Sequence, residues 1–130
     1  MGGRLVQQAF HASFLATYRG EPFTSNERQI LVYMCSVASD TDTPPRYWGG
    51  REALAEVALG RRVPSDADDA KARRSIFESV RQAVQGLTRR GAIELAATAR
   101  PGRNQEYVLT VDNSLRPLVF DQAELGPSAS

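Results

Sequence analysis

The sequence predicts an α+β fold, mainly α, and three observations carry that expectation. Apolar residues recur at helical spacing through most of the chain up to Arg90, and capping or breaking residues bound each such run. From Ala92 onward the pattern changes to two β-prone segments around a proline and glycine turn. At 130 residues the chain has the length of one domain, enough to bury a core without disulfide or metal.

Arg4 to Tyr18 reads as an N-terminal amphipathic helix, since Val6, Phe10, Phe14 and Tyr18 recur every four residues with Gln7, Gln8 and His11 between them. "RGEPF" ends it. Thr24 then opens a second helix: "TSNE" has the Thr-x-x-Glu form of a capping box, and Ile30, Leu31, Met34 and Val37 form its expected buried stripe. "SDTDTPPRYW" is expected to be a loop from its Asp, Thr and Pro content. Asp40 and Asp42 invite a calcium-loop reading, which fails because the sixth position lacks glycine and Arg51 stands where the twelfth-position glutamate belongs.

"REALAEVALG" is a short helix with Leu54 and Val57 inward, ended by Gly60 as a left-handed cap. "RRVPSDADDAK" follows, with three aspartates placed where acids favour a helix dipole or simply lie in a surface loop. The next helix carries Ile76, Val80, Ala83, Val84 and Leu87 on one face and stops at Gly91. "AIELAATA" and "QEYVLTV" then make a hairpin around "RPGRN". The tail beyond Asp112 holds one apolar cluster, Leu118 to Phe120, and a "GPSAS" end expected to be disordered.

Net charge is +1, but it is unevenly spread: residues 71–103 hold eight basic side chains against two acidic ones, whereas the segments before and after are net acidic. Such a local field draws a polyanion to one face even on a nearly neutral protein, although a solvated basic helix has the same composition. Enzyme chemistry finds little footing. His11 is the single histidine and has no acid or nucleophile near it in sequence; Cys35 sits on an apolar helix and reads as core. No phosphate loop, nucleotide-binding glycine pattern or metal-ligand set occurs, so neither cofactor nor metal nor small-molecule ligand is expected. With one cysteine, no apolar run of membrane-spanning length and no signal pattern, a cytoplasmic location is expected.

Two stretches carry a resemblance. "SVRQAVQGLTRRGAIEL", Ser79 to Leu95, resembles the recognition-helix and first-wing-strand signature of winged helix-turn-helix proteins, Thr-Val-x-Arg-x-Leu-x-x-Leu-x-x-x-Gly-Leu-Ile. Ser79, Val80, Ala83, Val84, Leu87, Gly91, Ala92 and Ile93 keep that spacing, with Gln82 where the arginine usually stands. "ILVYMCSVASDTDTPPRYWGGREALAEVALG" is similar to the winged-helix domains of phage and plasmid replication-initiator-like proteins and mobile-element regulators. Together the two stretches span roughly residues 24 to 111 and imply a winged domain at 21–112 with a hairpin wing, to which the residue pattern adds an N-terminal helix at 1–20 and a partly disordered tail at 113–130. One departure stands out. Gly60 and Val80 are twenty positions apart where a simple helix-turn-helix has six, so a loop through about Asp69 and a helix from about Ala70 are expected.

What the resemblance implies for function is sequence-specific binding of double-stranded DNA by a transcriptional repressor, or alternatively by a replication-origin or recombination accessory factor. A winged helix that binds a host protein is the competing class. Arg73, Arg74, Ser75, Ser79, Arg81, Gln82 and Gln85 form the pool for groove contacts, with Glu78 among them. Arg81 and Gln82 lead for bases, because Arg pairs with guanine O6 and N7 and Gln with adenine N6 and N7. Arg100, Arg103 and Asn104 at the wing tip suit phosphate or minor-groove contact, which positions more than it specifies. Arg89 and Arg90 suit either DNA or the helix dipole. A homodimer is expected from the modest basic area, and the Val6, Phe10, Phe14 and Tyr18 stripe is its natural contact unless it packs on its own domain.

Overall fold

A computed structural model describes residues 3–38, 44–97 and 104–111. Along the chain these form helix α1 (Gly3–Tyr18), helix α2 (Ser25–Val37), strand β1 (Arg46–Tyr47), helix α3 (Arg51–Ala53) running into a π-turn (Leu54–Ala58), helix α4 (Asp66–Arg89), and strands β2 (Ile93–Ala97) and β3 (Glu106–Leu109). The fold is α+β and mainly α. The Asp40 and Asp42 loop, the Arg100 and Arg103 turn and the Leu118 to Phe120 tail lie outside the described residues. Among the described residues no helix is long and apolar enough to cross a membrane.

α1 packs on α2, but not through its aromatic stripe. Leu5, Ala9, Ala12 and Leu15 are buried, while Phe10, Phe14 and Tyr18 are 55%, 56% and 58% exposed. The small Ala9 and Ala12 side chains let the two helices approach, and the four-residue aromatic series lies on the neighbouring face of the helix. Only Val6 of the predicted stripe touches the core. Of the two alternatives for this stripe, packing of Phe10, Phe14 and Tyr18 on their own domain is not what the fold adopts.

The capping box at Thr24 forms as the sequence predicts: the Glu27 backbone N–H donates to Thr24 Oγ1 at 3.1 Å, and the Thr24 N–H donates to Glu27 Oε1 at 2.9 Å. Ile30, Leu31, Met34 and Cys35 are buried beneath it, but Val37, at the last turn, is 53% exposed. A second correction concerns Val57. The Leu59 N–H bonds back to Leu54 O at 3.1 Å, the five-residue step of a π-turn, which advances the helix and turns Val57 to solvent while Ala58 and Leu59 pack inward. Gly60 does take positive φ, at 67°.

α4 is not one continuous helix. Asp69 has φ −159° and ψ 89°, an extended residue between a first turn and the regular helix, and its Oδ1 accepts the Ala72 N–H at 3.0 Å. It is an N-cap in the ordinary sense, so the regular helix begins at residue 70 as expected, preceded by a turn rather than by loop alone. At the other end Gly91 adopts φ 79°; its N–H bonds Thr88 O at 3.1 Å and the Ala92 N–H bonds Leu87 O at 3.0 Å. This is the paired closure of a Schellman cap, and only glycine enters that conformation without strain.

The exit from that cap places Ile93 in the core at the start of β2. β3 pairs antiparallel with β2 in the register Ile93↔Leu109, Glu94↔Val108 and Leu95↔Tyr107, with an irregularity before Ala97↔Glu106. β1 adds to the other side of β3, Arg46↔Val108 and Tyr47↔Tyr107, giving the order β1-β3-β2. The segment around Arg46 and Tyr47 was expected to be loop. A two-residue strand behind two prolines has no periodicity to read, and pairing with β3 together with the Arg46–Glu106 ion pair creates it.

Candidate nucleic-acid interface

From Ala70 to Arg89, α4 divides cleanly between two faces. Phe77, Val80, Ala83, Gly86 and Leu87 are buried at three- and four-residue spacing, so the opposite side carries Arg74, Ser75, Glu78, Arg81, Gln82, Gln85 and Arg89 into solvent. Val84 and Ile76 sit at the border, packed against the core. Twenty residues at 1.5 Å each make this face about 30 Å long.

Within it, three side chains form a network. The Glu78 carboxylate accepts Arg81 Nε at 2.8 Å through Oε1, Arg81 Nη2 through Oε2, and Gln82 Nε2 at 3.2 Å through Oε2. The spacing is that of helix neighbours one turn apart. Arg81 holds the Glu78 carboxyl below the usual carboxylate range, first through its hydrogen bond; Glu78 in turn raises the Arg81 guanidinium. Glu78 is the only acid between Ala70 and Arg90.

Other pool members are placed differently. Arg73 donates from Nη1 to Pro64 O at 3.1 Å, and its guanidinium lies 4.9 Å from the Phe77 ring centroid. Arg51 covers the same ring at 4.0 Å. The two cations clasp Phe77 and tie the 61–65 segment to α3 and α4, so Arg73 is engaged in the fold. Ser79 is half-buried, its hydroxyl donating to Ser75 O at 3.3 Å. Arg90 bonds Glu27 Oε2 at 3.0 Å and Gly86 O at 3.4 Å; it belongs to the α2–α4 junction. Arg89 stays exposed on the α4 face.

At the turn end of the β2–β3 hairpin, Asn104 donates from Nδ2 to Trp48 O at 3.1 Å and rests against Gly50, where a Cβ would come within 3.0 Å of it. It fixes the return of the hairpin against the β1–α3 turn. Beside it Trp48 is 55% exposed, an apolar plane at the same end of the molecule that sequence reasoning did not include in the site. The available signal was a large aromatic followed directly by two glycines. Arg100 and Arg103 lie outside the described residues.

No protein-family model, curated protein or solved structure matches this chain.

Proposed function

We propose that the protein is a sequence-specific double-stranded DNA-binding protein of winged helix-turn-helix type, a phage-like or mobile-element transcriptional regulator that represses by occupying its site. It acts by binding, without catalysis, on the nucleoid in the cytoplasm. α4 enters the major groove, and the β2–β3 hairpin lies along the flanking backbone or minor groove. One observation carries this reading: α4 presents an exposed face of Arg74, Arg81, Gln82, Gln85 and Arg89, and Gly91 leads it directly into an antiparallel hairpin. Arg and Gln are the side chains that bond guanine and adenine edges in pairs, which a merely solvated helix does not require. A replication-origin or recombination accessory factor would use the same face, and the genomic position of the selected site separates these roles.

The exposed Phe10, Phe14 and Tyr18 favour two copies joined through α1, which would double a modest phosphate-contacting area. The same three side chains support a second reading, a module that captures a host protein through α1. Selection of duplexes from a random pool at near-physiological salt tests the first. An inverted repeat whose affinity falls steeply with salt is expected; no enrichment moves the function to protein binding. Arg81→Ala or Gln82→Ala should relax sequence preference, while Arg103→Ala should weaken all duplexes alike. The reverse pattern would overturn the assignment of helix and wing.

A further inference from the structure

We propose that Glu78 is a positioning residue for sequence readout: it holds Arg81 and Gln82 so that both present their base-reading edges, and it suppresses their use on phosphates. The inference rests on the DNA-binding reading of α4 and deepens it.

The geometry of the bonds supports it. A guanidinium has five N–H groups. Glu78 takes the Nε–H and one hydrogen of Nη2, the side-on edge of Arg81. The end-on edge, the other Nη2 hydrogen with those of Nη1, keeps the two parallel donors that guanine O6 and N7 require. Gln82 donates one Nε2 hydrogen to Glu78 and keeps the second together with Oε1. That is the donor and acceptor pair that adenine N7 and N6 require. One carboxylate thus orients two readers without spending the edge either one reads with.

Charge supplies the second half. Glu78 is the single acid between Ala70 and Arg90, set among Arg74, Arg81 and Arg89 on the exposed face. It lowers the attraction of this face for any phosphate backbone, and an arginine already held at its side-on edge has less freedom to swing to a phosphate. A surface selected only for charge would gain by losing this residue. Its loss would strengthen binding to random sequence and weaken discrimination, a combination that simple charge removal does not give.

The test compares wild type, Glu78→Gln, Arg81→Ala and the double variant on the duplex selected by wild type, on that duplex with single base pairs exchanged, and on random-sequence DNA, over a salt series. Circular dichroism checks the helix in each. Glu78→Gln is expected to lose about tenfold in discrimination at the guanine contact, while binding to random DNA strengthens and its log–log salt slope steepens by about one. In the Arg81→Ala background the same change should leave discrimination at that base unaltered, since Glu78 acts there through Arg81. Arg81→Lys, which keeps the charge but has no bidentate edge, should lose discrimination without losing affinity for random DNA. If Glu78→Gln instead raised affinity for every duplex by one factor with discrimination intact, or if the two variants were additive, the positioning role would be overturned. If wild type bound no duplex in a salt-dependent way, the DNA reading itself would fall and the inference with it, a result distinct from either.

Discussion

Gly86→Ala tests how α4 is fixed to α2. In a helix interior this substitution ordinarily stabilises by about 1 kcal/mol, because glycine is a poor helix former. Here the new Cβ would overlap Glu27 Oε2, with Glu27 Cδ at 2.8 Å and Arg90 Nη1 at 3.2 Å. A carboxylate end normally swings aside. Glu27 is 5% exposed, and its two oxygens are committed to the Thr24 N–H and to Arg90. Moving it breaks the capping box, worth about 1 kcal/mol, and opens the Glu27–Arg90 pair. Removing one partner of a buried pair costs about 3–5 kcal/mol, but both partners remain and can regain water, so about 2 kcal/mol is the better figure. Set against the helix gain, the net is destabilisation by about 2 kcal/mol, or roughly 10 °C in Tm for a domain of this size. Thermal and urea denaturation of the single variants and the double read it. In a Glu27→Ala background the Cβ has room, and Gly86→Ala should then stabilise. A Gly86→Ala protein melting at or above wild type, or a substitution of the same sign in both backgrounds, would refute the reasoning.

Burial raises the Tyr47 hydroxyl well above its usual range, with Tyr33 adding to the shift, and burial raises Tyr107 as well. The native state therefore retains protons that the unfolded chain loses, so stability should be fully present below about pH 10 and decline as pH rises beyond it; Tyr47→Phe should flatten that decline in alkaline denaturation curves. Asp69→Ala should cost about 1 kcal/mol in urea denaturation by removing the cap on Ala72, and Asp69→Asn should cost less. If α1 joins two copies, Phe14→Ser should shift the sedimentation equilibrium from dimer to monomer and remove the concentration dependence of the melting temperature, leaving it at the value of dilute wild type, because Phe14 contributes little to the monomer core.

Much of the fold was legible because local signals and tertiary contacts agree in the same segments. The Thr24 box, the Gly91 stop and the Val80, Ala83 and Leu87 stripe each name a local device that the packing then uses. Where they diverge, reading failed for identifiable reasons. α1 offers two candidate stripes, one aromatic and one aliphatic, and periodicity alone cannot tell which one α2 will cover. Val57 lies within a π-turn whose wider step shifts which positions face inward, and β1 exists only because β3 is beside it. For the candidate site, the sequence named the exposed members of α4 but not their relations. Glu78, Arg81 and Gln82 stand at helix spacing, so their network was readable in principle, whereas the diversion of Arg73 to Phe77 and Pro64 depends on where the 61–65 segment folds back.

That diversion narrows what the α4 face can do as a monomer. With Arg73 clasping Phe77 and Arg90 held by Glu27, the cations left on the exposed face are Lys71, Arg74, Arg81 and Arg89, one of them bonded to Glu78. On the proposed DNA-binding reading, four cations with one acid among them give a single copy few phosphate contacts, so the steep salt dependence expected of an inverted repeat needs both copies. On the same reading, selectivity would come from base contacts and from repeating the unit, since a second copy adds its contacts at little further cost once the first is placed. α4 is fixed at both ends, by Asp69 and by the Gly86–Glu27–Arg90 junction, and if it reads DNA a small error in the height of the helix would misplace all of its readers together. Stability at that junction and discrimination at Arg81 should therefore be linked, with Gly86→Ala losing sequence preference at temperatures well below its own melting point.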